Sequence, residues 1–164
     1  MEIKIRPAVF SDLDTILEIT NHQILNSTSI YDYEPRDFED QKAWFDKKNA
    51  DKFPVLVAEF EQSPIGYATY DIFRRQEAFR KTVEHSIYVA EEFTGKGAGK
   101  LLLAALIEIA KEQGFHTMIG VICTENKNSI NFHEKFDFEK IGLLKESGYK
   151  FDRWLDTVIL ELML

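Results

Sequence analysis

The chain has a single cysteine, Cys123, in 164 residues. Neither an intrachain disulfide nor a cysteine-built zinc site can form from it. Positive charge is also short. Lys+Arg number 20 against 28 Asp+Glu, a formal net charge of −8. The absence of a broad basic field to neutralise phosphates argues against a non-specific nucleic-acid binder, and any phosphate site must be local. No apolar run approaches the roughly 20 residues of a membrane span. Residues 1–20 carry charges throughout, unlike a secretory signal. The expectation is a cytoplasmic protein with no membrane partner. Repeats, low-complexity tracts and Pro/Gly-rich linkers are missing too, so residues 1–164 read as one domain.

What is present alternates between two periods. "EIKIRPA" sets Ile3 and Ile5 against charges, a strand stopped by Pro7. Ser11 with Asp14 three residues on reads as a capping box, and Leu13, Ile16, Leu17, Thr20 and Ile24 keep helical spacing to about Asn26. "STSIYDYEP" is a loop, and a second helix is predicted from about Asp37. "FPVLVAEF" and "IGYATYDIF" are strands joined by a hairpin at "EQSP". "KTVEHSIYVA" is another strand. A helix ends at Gln113 with Gly114 as its C-cap, and "FHTMIGVIC" is a strand buried on both faces. "NKNSINFHEKF" suits a short helix, and the last residues read as two strands around a turn at Gly148. The sum is an α/β (α+β) domain, a single mixed central sheet with flanking helices.

The stretch "TGKGAGK", Thr94 to Lys100, follows a strand and opens an apolar helix. It is not a Walker-type phosphate loop. The first glycine of that pattern would fall on Thr94, and its magnesium-touching hydroxyl on Leu101. It is not a dinucleotide fingerprint either, because the third glycine would fall on Lys100 or Leu102. A helix N-terminus nevertheless carries unpaired amides and the positive end of the dipole. Gly95, Gly97 and Gly99 open the backbone to close approach by an anion, and Lys96 and Lys100 add charge.

Thr94-Gly95-Lys96-Gly97-Ala98-Gly99 resembles the acyl-CoA pyrophosphate loop of the GCN5-related N-acetyltransferase superfamily. Within it, "FRRQEAFRKTVE", "NKNSINFHE" and "GYKFDRWLD" are similar to three stretches of the phosphinothricin and methionine-sulfoximine acetyltransferase group. The resemblance runs from about Ile3 to Leu160. It implies that superfamily's fold, acetyl-CoA as cosubstrate, no metal, a small-molecule amine as acceptor and a homodimer. Three positions depart from the pattern: Thr94 replaces Arg/Gln, Gln76 replaces an arginine, and Asp137 replaces a glycine.

Glu84 is the candidate base. A carboxylate within an apolar strand costs desolvation unless it has a task or a partner, and burial raises its pKa toward a base's working range. The residues alone leave base and ion-paired strand glutamate evenly matched, and the resemblance implies the base. His133 is implied near the CoA sulfur as proton donor to the thiolate, against a helix histidine bonded to backbone. His85 points to the opposite strand face from Glu84 and is read as structural, and Cys123 as a small buried hydrophobe. The resemblance implies that the backbone of Ile87, Tyr88 and Val89 pairs with the pantetheine arm, and that residues 94–100 hold the pyrophosphate. Asn126, supported by Ser129, is a cofactor contact, a helix N-cap, or both. Arg74 and Arg80 are candidates for a substrate carboxylate, with Tyr31, Glu34 and Phe38 closing the pocket and Tyr149 and Lys150 from the C-terminal motif. Trp44 is read as core. The leading expectation is an N-acetyltransferase for the α-amine of a small amino acid or analogue. A peptide N-terminal acetyltransferase and a non-catalytic CoA-binding module are the competing readings.

Overall fold

The structure, a computed structural model, describes residues 2–164. The elements are Lys4–Pro7 (β1), Leu13–Asn26 (α1), Phe38–Ala50 (α2), Val55–Phe60 (β2), Ser63–Ile72 (β3) and Thr82–Val89 (β4). They continue with Ala98–Glu112 (α3), Thr117–Cys123 (β5), Lys127–Glu134 (α4), Glu139–Lys150 (β6) and Arg153–Met163 (β7). The seven strands form one sheet in the order β1-β2-β3-β4-β5-β7-β6. Only β4 and β5 are parallel, and a parallel neighbour needs a long crossover, which α3 supplies. The mixed α/β expectation is met.

Period-two alternation sorts the core. Val55 and Val57 of β2 face Leu13, Ile16 and Ile19 of α1 and Phe45 of α2. Leu56 and Ala58, one step out of phase, face Leu102, Leu103 and Leu106 of α3. The central strands are thus covered on both faces. Truncating a buried leucine to alanine costs about 2–5 kcal/mol, so the three fully buried leucines of α3 fix the start of that helix firmly.

Several local devices differ from the sequence reading. Ser11 does not cap α1. It lies in a 3-10 turn, Phe10–Asp12, where the buried Asp12 carboxylate accepts from Val9 N at 2.7 Å and from Arg6 at 2.7 and 2.9 Å. The first hairpin turns at Glu61–Gln62 and the last at Phe151–Asp152, all four with positive φ. Gly148 is therefore not the final turn. It pairs with Leu155 inside β6–β7, and a Cβ there would stand 2.6 Å from the Tyr31 ring. Its role is to let Tyr31 lie against the strand. Gly114, at φ 75°, ends α3 as expected.

Lys150 is also corrected. It is not a substrate contact but a buried staple. Its Nζ donates to three carbonyls, Ile24 at 2.6 Å, Ser27 at 2.8 Å and Ile30 at 2.5 Å. An ammonium group has three N–H donors, so none is left for a ligand. The contacts tie the C-terminal end of α1 and the following loop to β6. Hydrogen bonds to a charged group contribute about 1.5–3 kcal/mol each, and the cost of burying the ammonium offsets much of their sum. Lys150→Met is expected to lower stability by about 2–3 kcal/mol and Tm by about 4–12 °C, measured by thermal unfolding. An unchanged Tm would contradict the staple.

Candidate active site

Pairing between β4 and β5 covers only Thr82–Glu84 against Thr117–Ile119. Both strands continue, β4 against β3 and β5 against β7, but they part from one another. The parting opens a cavity of about 300 Å³ within the sheet itself. Ser86, Ile87 and Tyr88 line one side, Gly120 to Cys123 the other, and Thr28 to Tyr31, the loop held by Lys150, close an end. Beyond Glu84 the β5-facing edge of β4 lacks a strand partner, so its backbone is free to receive an extended ligand.

The glycine loop adjoins this opening. A Cβ on Gly99 would sit 3.9 Å from Val89 Cγ2. Gly97 is the N-cap of α3 with φ 97°, and Gly95 has φ 77°. Both adopt the left-handed conformation that favours glycine. The amides of Gly95, Gly97, Ala98, Gly99 and Lys100 have no backbone acceptor among the described residues. Lys96 N is spent on Phe93 O at 3.3 Å, and Thr94 N on Glu91 O at 3.1 Å. Lys96 Nζ lies 5.2 Å from the Phe93 ring centre, and Lys100 is exposed. Gly99 is helical, and a Cβ there would meet Phe132 at an ordinary 3.7 Å. The need for glycine thus rests on the left-handed backbone at residues 95 and 97, where a Cβ would meet no neighbour.

Glu84 stands on the cavity wall at the last paired position. No hydrogen bond or ion pair holds its carboxylate among the described residues. Desolvation raises its pKa, the Asp71 charge directly across β3–β4 raises it further, and Arg74 opposes. Asp71 is bound to the buried Lys48 at 2.6 Å, which leaves Glu84 the unpaired member of the two carboxylates.

His85 is not merely a core residue. It bridges the parted strands. Its Nδ1 bonds Ile119 O at 2.8 Å and its Nε2 lies 2.8 Å from His133 Nε2. His133 Nδ1 bonds Ser129 O at 2.7 Å. Burial, followed by the His133 charge, pushes His85 down to about 3, while the Ile119 carbonyl opposes; burial also lowers His133. Alternation along β4 does separate Glu84 from His85, but a gap in the plane of the sheet is bordered by both faces. A signal was available in Gly120. A glycine inside a strand marks close approach, and a Cβ here would be 3.1 Å from His85 Cε1.

Residues 19–138 match the model of the Acetyltransferase (GNAT) family. The chain belongs to this acetyltransferase family. It is 42% identical over 165 residues to a methionine sulfoximine/methionine sulfone acetyltransferase of Pseudomonas aeruginosa, covering 100% of this chain and 96% of that one. A ribosomal-protein-alanine N-acetyltransferase structure from Brucella melitensis superposes with TM-score 0.97 at 42% identity, over 98% and 99% of the two chains. A phosphinothricin acetyltransferase structure from Sinorhizobium meliloti, in complex with acetyl-CoA, gives TM-score 0.96 at 38% identity, over 100% and 89%.

Among the other candidate positions in this acetyltransferase, Asn126 is the N-cap of α4, accepting from Ser129 N at 3.1 Å, and lines the cavity with Ser129. Tyr31 lines it too, its hydroxyl 2.9 Å from Thr157 Oγ1. Phe38 does not. It packs edge-on against Phe10 in the α1–α2 core. Glu34 is exposed and off the wall, as are Arg74 and Arg80 on the β3–β4 connection. Of the two arginines only Arg74 acts on Glu84's charge. Tyr149 stacks edge-on to Trp154 at 5.0 Å, beside a separate surface depression. Cys123 is buried yet borders the cavity. Trp44 packs on Tyr67, as expected of core.

The raised pKa of Glu84 sets a sign. The folded state holds this proton more tightly than the unfolded chain, so stability falls as pH rises past the unfolded value and stays reduced above the folded one. Glu84→Gln should therefore be no less stable than wild type at neutral pH. As the loss of a general base it should cost about 10²–10⁴-fold in kcat and remove the acidic limb of the pH–rate profile. Wild-type turnover across pH in the variant would reduce Glu84 to a structural role.

Proposed function

We propose that the protein transfers the acetyl group of acetyl-CoA directly to the α-amine of a small amino acid or analogue, of the methionine sulfone, methionine sulfoximine or phosphinothricin type. The observation carrying this reading is the unpaired Glu84 carboxylate on a cavity of about 300 Å³, near the lower limit for small-molecule sites. Acetyl-CoA fits the residues present: a free strand edge at Ile87, Tyr88 and Val89 for an extended arm, and free amides at a helix start for a pyrophosphate. Bound there, it supplies the acyl group and a thiolate leaving group. Glu84 takes the ammonium proton, directly or through water. The β4 backbone offers an amide to the carbonyl oxygen as charge develops, and the sulfur takes its proton from His133 or from water. The cytoplasm is the proposed compartment.

The likeness to a ribosomal-protein-alanine acetyltransferase favours a second reading, a peptide N-terminus as acceptor. Arg74 discriminates, because a free amino acid brings a carboxylate that a peptide's first residue lacks. The test compares kcat/KM for an amino acid with that for its carboxamide, in wild type and in Arg74→Ala. A bidentate arginine contact makes wild type prefer the acid strongly and the variant lose that preference. Equal acetylation of the two, with peptides turned over better, would replace the small-molecule reading by the peptide one.

A homodimer is part of the proposal. Edge strand β6 leaves Ile141, Leu143 and Leu144 exposed, with Phe151 and Trp154 beside them. An apolar edge with unpaired backbone invites pairing or cover. Sedimentation should give a dimer for wild type and a folded monomer for Leu143→Glu. A monomeric wild type at micromolar concentration would sink the dimer.

A further inference from the structure

Two carboxylates face one another beside the cavity. Asp71 of β3 and Glu84 of β4 are direct partners in the antiparallel register. Their side chains therefore leave the same face of the sheet, with Cβ atoms about 5 Å apart. Their surroundings differ. Asp71 is anchored from α2 by Lys48, whose side chain is 3% exposed and whose Nζ donates to Asp71 Oδ2 at 2.6 Å and to Tyr70 O at 2.9 Å. The ammonium also lies 5.7 Å from the Trp44 ring centre and 5.8 Å from that of Phe53. Glu84 lines the cavity and has no such anchor among the described residues. Facing carboxylates and a buried ammonium are each unfavourable features taken alone. Here they stand in series: Lys48 holds Asp71, and Asp71 acts on Glu84.

We propose that Asp71 is a positioning residue for the transfer: its carboxylate, anchored by Lys48 directly across the strand pair, makes Glu84 a stronger base toward the proton that the amine must lose. This rests on the acetyl-transfer reading of the cavity, with Glu84 as base. An anchored anion opposite the base disfavours the carboxylate that begins the step and favours the carboxylic acid that ends it. In the balanced step the amine nitrogen bonds to the acyl carbon, the C–S bond breaks, and its electron pair leaves on sulfur. The proton lost by nitrogen is the one Glu84 holds, and it returns to solvent after the product departs. Arg74, on the β3–β4 connection, acts on Glu84 in the opposite sense. On β4 itself Tyr88 shares the face of Glu84 and His85 takes the other. Tyr31 after α1, Cys123 of β5 and His133 of α4 border the same cavity, and the β5 partner of Glu84 is the uncharged Ile119. A purely structural Asp71 would tie α2 to β3 and leave the Glu84 proton untouched. Asp71→Asn separates the two roles. The amide oxygen still accepts from Lys48, and only the charge is lost, at a side chain that is 60% exposed.

Carbon-13 NMR of the Glu84 carboxyl group in the unliganded protein, assigned by its absence in Glu84→Gln, reads this proton without reference to activity. The titration midpoint is expected to fall by about half a pH unit or more in Asp71→Asn and to rise in Arg74→Ala. An unmoved midpoint in Asp71→Asn would overturn the link between the strands. In steady-state assays with both substrates saturating, Asp71→Asn should carry the acidic limb of kcat to lower pH, lower the plateau above it by about twofold or more, and leave KM for acetyl-CoA unchanged. A midpoint that moves while the limb stays would overturn the role of Asp71 in the transfer. If the midpoints move as stated but wild type acetylates no amine in a broad panel, the acetyl-transfer reading fails and the link between Asp71 and Glu84 stands.

Discussion

The decisive constraint is the end of the β4–β5 ladder. Three residues pair and then the strands part, although both remain extended and well paired on their outer sides. A gap inside a sheet costs backbone hydrogen bonds that water or a ligand must replace. Here the lost pairs supply the site. One edge offers a strand's worth of amides and carbonyls, and a helix start delivers further amides at the far end of β4. The parallel arrangement brings this about: α3 must cross over to reach β5, and its first turn is thereby set beside the end of the strand that feeds it.

The opening is held by polar ties that span long sequence distances. His85 reaches Ile119 where the strands separate. Lys150 gathers three carbonyls from the end of α1 and the loop that walls the cavity, and Tyr31 in that loop is seated on Gly148 and bonded to Thr157. Buried polar groups of this kind are costly unless fully satisfied. Their satisfaction gives the wall one geometry, and it explains why a lysine from a motif associated with the active site acts by holding backbone.

Much of the architecture was legible in sequence because it is local. The change from period two to helical spacing located the elements, and the alternating glycines marked the loop before α3, two of whose residues, 95 and 97, take left-handed conformations. What escaped notice was long-range or unmarked. The final turn uses Phe151 and Asp152 in left-handed conformations, and neither is a glycine, so Gly148 drew the prediction instead. Ser11 carried a capping pattern, but Asp12 had a better offer from Arg6. His85 met His133 at a separation of 48 in the numbering, and strict alternation argued against any link to Glu84. Phe38 was placed by an aromatic partner, Phe10, that no spacing rule connects to it.

Gly120 carries a consequence of another kind. Its missing side chain is occupied by the edge of an imidazole from the neighbouring strand. The two positions therefore share one volume. A methyl group at 120 would press on that imidazole and displace it by a few tenths of an ångström. The ring could yield only by straining its bonds to Ile119 and His133, so the absence of one side chain sets the position of another and, through it, the spacing of the two strands.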